Sequence, residues 1–124
     1  MIPQDLPKFK FKNDSYTRRR GAPAMIAISC SGCAQYIMAY QKDGPGPLLR
    51  CYLDRIHHPL EIAQRQHEQF DKNQSPKLEC TSCNVVIGVP IIYDKETRPA
   101  YHMRPGLFSI KRLYQGKKLK EPKA

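Results

Sequence analysis

Apolar positions in this chain fall into short continuous runs separated by polar or turn-forming stretches. Ala24 to Ser29, Gln35 to Tyr40 and Val85 to Tyr93 are rich in β-branched and aromatic side chains and have strand length. Pro76 to Glu79, Ala100 to Met103 and Leu107 to Leu113 are weaker strands, the last two joined by an Arg104-Pro105-Gly106 turn. Pro90 lacks an N–H for a sheet ladder, so an edge position or bulge is expected there, with Gly88 allowing a bend. Asp43-Gly44-Pro45-Gly46-Pro47 denies both helix and ladder and is a loop. Residues 48–56 satisfy both periods: Leu48, Leu49, Tyr52, Leu53 and Ile56 form a helical stripe, while Leu49, Cys51 and Leu53 form a strand face. The preceding Gly-Pro turn favours strand. Over residues 59–71, Leu60, Ala63, His67 and Phe70 recur at helical spacing with Pro59 at the first position. A short surface helix packing that face, His67 included, is expected before Asn73-Gln74-Ser75-Pro76.

These elements predict a mainly β fold: small antiparallel sheets, one short helix in the insert and flexible basic termini. At 124 residues the chain has room for one domain. The expected organisation is a basic N-terminal arm over 1–23, a core over 24–113 and a basic tail over 114–124. No run approaches the roughly 20 apolar residues of a membrane span, and no basic leader precedes an apolar stretch. A cytoplasmic protein with no membrane partner is expected.

The formal charge of +10 is concentrated at the ends. Residues 1–20 carry Lys8, Lys10, Lys12, Arg18, Arg19 and Arg20 against Asp5 and Asp14. Residues 111–124 carry Lys111, Arg112, Lys117, Lys118, Lys120 and Lys123 against Glu121 alone. Basic arms beside a nearly neutral core suit contact with polyphosphate, because each neutralised phosphate releases counterions; tails that only solubilise the core would carry the same charge. Aromatic residues interleave with these cations in Phe9-Lys10-Phe11-Lys12, Tyr101-His102-Met103-Arg104 and Phe108 to Tyr114. That alternation can stack unpaired bases, and it is equally what a half-buried strand requires.

Cysteine is the strongest chemical signal. Cys30-Ser31-Gly32-Cys33 and Cys80-Thr81-Ser82-Cys83 lie 46 residues apart, each between strand-like runs, so the two halves read as crude repeats of strand, knuckle, strand. Two thiolates from one tight turn converge on one ion, and two such turns supply a closed tetrahedral shell for one structural Zn2+. A rubredoxin-type iron site and a redox dithiol are the competing readings. A closed four-thiolate shell leaves no position for a reactive water, and no nucleophile elbow, phosphate loop or deaminase signature is present, so no enzyme activity is expected. Cys51 reads as a small buried hydrophobe. His57 and His58 read as exposed loop residues, and His102, beside Tyr101 and Arg104, as a strand residue with a possible substrate or RNA contact.

The paired knuckles with flanking strands resemble zinc-ribbon proteins. The spacing, and the Gly-containing strand after Cys80-Thr81-Ser82-Cys83, are also similar to β-tent zinc domains: Yippee-like proteins, zinc-bearing methionine sulfoxide reductases and the C-terminal domains of RNA sensors. The resemblance covers roughly residues 24–113 and implies that Cys30, Cys33, Cys80 and Cys83 are zinc ligands. The reductases use a further cysteine late in the chain, and none follows Cys83 here.

The expected function is a non-catalytic structural-zinc module that binds RNA or a nucleoprotein assembly. Its contacts would be Lys8, Lys10, Lys12, Arg18, Arg19, Arg20, Arg104, Lys111, Arg112, Lys117, Lys118 and Lys120. A zinc-stabilised protein-interaction adaptor is the alternative, and a thiol redox protein or enzyme ranks below both.

Overall fold

The structure is a computed structural model and describes residues 2–117. Eight strands follow one another as β1 (Pro23–Cys30), β2 (Tyr36–Asp43), β3 (Arg50–Tyr52), β4 (Ile56–His58), β5 (Leu78–Glu79), β6 (Val86–Tyr93), β7 (Arg98–Met103) and β8 (Phe108–Gln115). They form two four-stranded antiparallel sheets, sheet I in the order β4-β2-β1-β8 and sheet II in the order β3-β7-β6-β5. The mainly β fold expected from the apolar runs is the fold observed.

The core lies between the sheets. Ile26, Ile28, Met38 and Tyr40 of sheet I meet Cys51, Leu78, Ile87, Tyr101 and Met103 of sheet II, all buried. Cys51 is fully enclosed and burial pushes its thiol well above the usual range, as suits a small apolar filler. Residues 48–56 contain the strand that the preceding turn favours and two further short elements. β3 pairs in sheet II, a single 3₁₀ turn at Leu53–Arg55 buries Leu53, and β4 then pairs in sheet I. The segment is a strap crossing from one sheet to the other.

Pro90 lies in β6, yet β5 pairs with β6 only at Leu78–Gly88 and Glu79–Val86. Beyond Gly88 that side of β6 faces no strand among the described residues, so Pro90 occupies a local edge as expected. Gly88 is there for close approach rather than for a bend. A Cβ on it would meet Tyr101 Cβ at 3.1 Å and Met103 Sδ at 3.2 Å.

The insert helix is shorter and faces differently than its stripe predicts. Helix α2 spans Leu60–Ala63 and tightens into a 3₁₀ turn at Gln64–His67. Pro59 is its cap, after a cis peptide bond. Ile62 and Ala63 turn inward, whereas Leu60 is 68% exposed and His67 is exposed. The change of period at residue 64 rotates His67 out of the stripe; Phe70 is still held, edge-to-face with Tyr101 at 5.7 Å.

Residues 2–22 run along sheet I and, at Tyr16 and Arg20, reach Arg98 and Tyr52 of sheet II. Helix α1 (Ser15–Arg20) was not expected, although its start signal is present: Asp14 accepts from the Tyr16 and Thr17 N–H groups, and Thr17 Oγ1 accepts from the Asp14 N–H. Before it, Phe9 to Lys12 cross the outer face of sheet I. The Lys12 N–H donates to Gln41 Oε1 at 2.7 Å, and Phe9 rests against His57 with ring centroids 5.7 Å apart. The helix end packs directly on the loop after β2, where Gly44 has φ +81° and a Cβ would fall 2.0 Å from the Arg20 carbonyl oxygen. Among the described residues no helix is long and apolar enough to cross a membrane.

Candidate metal centre

Each knuckle is a hairpin turn at the end of its sheet, and the two are built alike. The Cys30 N–H donates to the Gln35 carbonyl and the Ala34 N–H to the Cys30 carbonyl, both at 2.9 Å. In the second knuckle the Cys80 N–H donates to Val85 and the Asn84 N–H to Cys80, again both at 2.9 Å. Ala34 and Asn84, each directly after the second cysteine, share φ +65°. Asn tolerates that left-handed conformation better than Ala, which marks the first knuckle as the more strained.

This turn points both sulfurs of a pair to one side. One cysteine of each pair is buried, Cys30 as the last residue of β1 and Cys80 directly after β5; the other sits on the turn and is exposed (Cys33, Cys83). Across the halves, Cys30 Sγ lies 3.6 Å from Cys83 Sγ, and Cys33 Sγ lies 3.5 Å from Cys80 Sγ. All four sulfurs lie within 4.8 Å of one another. A tetrahedral ion with metal–sulfur bonds of about 2.3 Å needs sulfur–sulfur edges of about 3.8 Å. The four cysteines therefore fit a single ion, and the ion would join sheet I to sheet II. The same spacing is far beyond a disulfide bond, and all five cysteines are free.

Backbone amides prepare the site for thiolates. Burial works against charge on Cys80, but the N–H groups of Cys83 and Ser82 outweigh it, the latter 3.4 Å from Sγ, and bring the thiol down to about 7.

A second polar cluster ties the N-terminal segment, the strap and sheet II together. Arg55, 1% exposed, donates to Asp43 Oδ2 at 2.8 Å, Asp14 Oδ1 at 2.5 Å and Thr17 Oγ1 at 3.1 Å. Partial burial alone would raise the Asp14 carboxyl, but the Arg55 hydrogen bond and the Thr17 N–H hold it down at about 2. Arg98 stacks between Tyr16 and Tyr52, its guanidinium carbon 3.9 and 3.8 Å from the ring centroids. Its NH groups donate to Asp54 at 2.7 Å and Glu96 at 3.0 Å. Neither arginine stood out in the sequence; the capping box at Asp14 is the one local sign that this region is ordered.

His57 and His58 sit elsewhere than expected, whereas His102 is the strand residue expected. His57 and His58 are half-buried in β4 rather than in an exposed loop, because the strap needs β4 to return to sheet I. His57 Nε2 bonds to Gln41 Oε1 at 3.1 Å, and His58 Nδ1 to the Tyr36 hydroxyl at 2.8 Å. His102 is exposed on β7.

Of the twelve cations singled out above, Lys12 and Arg20 have internal partners. Lys12 Nζ donates to the Asp54 carbonyl and Arg20 pairs with Glu96 at 2.6 Å. Arg19 lies 3.6 Å from the same carboxylate but is mostly exposed, and Arg18 donates to Asn13 at 3.2 Å. Lys8, Lys10, Arg104, Lys111, Arg112 and Lys117 are exposed. Lys118 and Lys120 lie outside the described residues.

The basic N-terminal segment meets β8. The Tyr114 hydroxyl accepts from the Phe9 N–H at 2.6 Å and donates to the Phe9 carbonyl at 2.8 Å, while Lys8 Nζ lies 5.6 Å over the Tyr114 ring. Lys111 and Tyr114 pair with Ala27 and Met25 of β1, which alternate with the inward Ile26 and Ile28 and so face the side that residues 9–12 cross. Lys8, Lys10 and Lys111 thereby share one face.

No protein-family model matches this chain, and neither a curated protein nor a solved structure matches it.

Proposed function

We propose that this protein is a cytoplasmic, non-catalytic module in which one structural zinc ion closes the junction of the two sheets and the basic face shared by the N-terminal segment and β8 binds RNA. Zinc suits a closed four-thiolate shell whose task is to hold two hairpins together, since it brings no redox chemistry and accepts tetrahedral sulfur. Two four-stranded antiparallel sheets meeting at four cysteines also favour the β-tent resemblance over the zinc ribbon.

The observation that carries the nucleic-acid reading is the meeting of Lys8 and Lys10 with Lys111, residues about a hundred positions apart, on one exposed face beside Phe9, Phe11 and Tyr114. Cations interleaved with aromatic rings neutralise phosphate and offer stacking surfaces to unpaired bases. Removing the basic ends outright would take Asp14 from Arg55 and β8 from sheet I, so charge reversal is the informative change. Short single-stranded RNA should bind with an affinity that falls steeply as salt rises. The variant Lys8→Glu/Lys10→Glu/Lys111→Glu should keep its metal and lose at least tenfold in affinity, with a shallower salt dependence. Binding that ignores both salt and charge reversal would overturn this reading.

A further inference from the structure

Sheet II does not cover all of sheet I. Ile28 of β1 is fully buried, while its cross-strand neighbour Ile110 on β8 is 45% exposed. Beyond that limit the inner face of sheet I opens into a cleft of about 620 Å³. Its floor is Ala24, Ile26 and Ile110, and its far wall is the Gly44-Pro45-Gly46 loop. The small Ala24 keeps the floor low between two cations on the strands flanking β1: Lys42, paired with Ala24, and Arg112, paired with Ile26.

The charges here are one-sided. No acidic residue lines the cleft among the described residues. The carboxylate of Asp43 is turned away, to Arg55 Nε at 2.8 Å and Gln41 Nε2 at 2.9 Å. Arg112 has no acidic partner among the described residues, and Lys42 Nζ is steadied at the rim by donating to the Gly44 carbonyl at 2.6 Å, which leaves two of its hydrogens unused. Partial burial, and then the charge of Arg112, make the ammonium of Lys42 less favourable than usual, with the Asp43 carboxylate offsetting only part of this. An anion between the two would relieve both effects.

We propose that this cleft binds a phosphate monoester of nucleoside size, with the phosphate between Lys42 and Arg112 and the body against Ile110, Ala24 and Pro45. Guanidinium and ammonium groups together are a phosphate pair, and the volume is that of a small-ligand site. Arg112 and Lys111 are successive on β8 and face opposite sides of sheet I, so this site is separate from the outer basic face and does not depend on the RNA reading.

The test is an amide chemical-shift titration of the metal-loaded full chain at constant ionic strength with AMP, inorganic phosphate and adenosine. AMP should saturate at least fivefold more tightly than phosphate or adenosine, with the largest shifts at Ala24, Lys42 and Ile110. Arg112→Gln, on the exposed strand, and Lys42→Met should each weaken AMP at least fivefold, while Lys111→Glu should not. AMP binding no tighter than phosphate, shifts confined to the outer face, or indifference to both Arg112→Gln and Lys42→Met would overturn the proposal. If RNA binding fails while AMP binds as described, the functional reading falls and the cleft stands.

Discussion

Arg55 shows how a single side chain can decide whether the N-terminal segment belongs to the core. Its guanidinium is almost wholly removed from water, which is costly for a cation unless every donor is matched. Asp43 takes the Nε hydrogen, Asp14 and Thr17 the Nη2 group, and the Asp54 carboxylate lies 3.8 Å from Nη1; Asp14 arrives from the N-terminal segment. His57, in the same neighbourhood, makes the fold sensitive to acid. Burial, reinforced by the charges of Lys12 and Arg55, lowers it from 6.5 to about 4. Below pH 6.5 the unfolded chain takes up a proton that the folded chain refuses, so stability is lost as the pH falls from about 6.5 to about 4. Metal release through thiolate protonation acts over part of the same range, so the comparison has to be internal. Denaturant unfolding of wild type and His57→Gln, both metal-loaded, should show a smaller loss over that window in the variant; parallel curves would exclude His57 as a contributor.

At the scale of elements, the strands were legible because each buried run is continuous and bounded by turn residues. The knuckle hairpins β1–β2 and β5–β6, the loop at 44–47 and the Arg104-Pro105-Gly106 turn all lie where the pattern puts them. The short helix of the insert lies where its stripe starts, but four residues of α-helix followed by a 3₁₀ turn do not keep a single period, so of Leu60-Ala63-His67-Phe70 only Ala63 and Phe70 face inward. Residues 48–56 read ambiguously because three short elements share them, β3, a 3₁₀ turn and β4, and Leu49, common to both stripes, is 49% exposed. The four sulfurs were legible as a set because Cys-x-x-Cys constrains geometry locally. The Arg55 and Arg98 contacts were not, since their partners come from residues 14–17, 43, 52, 54 and 96 and no local spacing encodes them. Gly88 was visible as an exception in a strand, but its reason is tertiary. Gly88→Ala should cost about 1–3 kcal/mol in denaturant unfolding, because Tyr101 and Met103 in the buried core would have to shift by a few tenths of an ångström to admit the methyl. A neutral substitution would show that the sheet II packing is looser than described here.

For the whole molecule, the two sheets share a core and a strap, yet at the knuckle end the charges of four thiolates would repel if nothing neutralised them. An ion there converts that repulsion into the strongest link between the halves. In zinc-finger peptides such closure contributes about 10–16 kcal/mol at neutral pH, comparable to the entire stability of a small domain. The basic outer face and the inner cleft both lie on sheet I, whose β8 ends beside the N-terminal segment, so the junction of the sheets underlies both proposed sites. X-ray absorption at the zinc edge, with metal and protein quantified on the same sample, tests this most directly. The account predicts one zinc per chain, four sulfur neighbours at about 2.3 Å and no nitrogen or oxygen. Half an ion per chain, a mixed shell, or a fully folded protein without metal would contradict it.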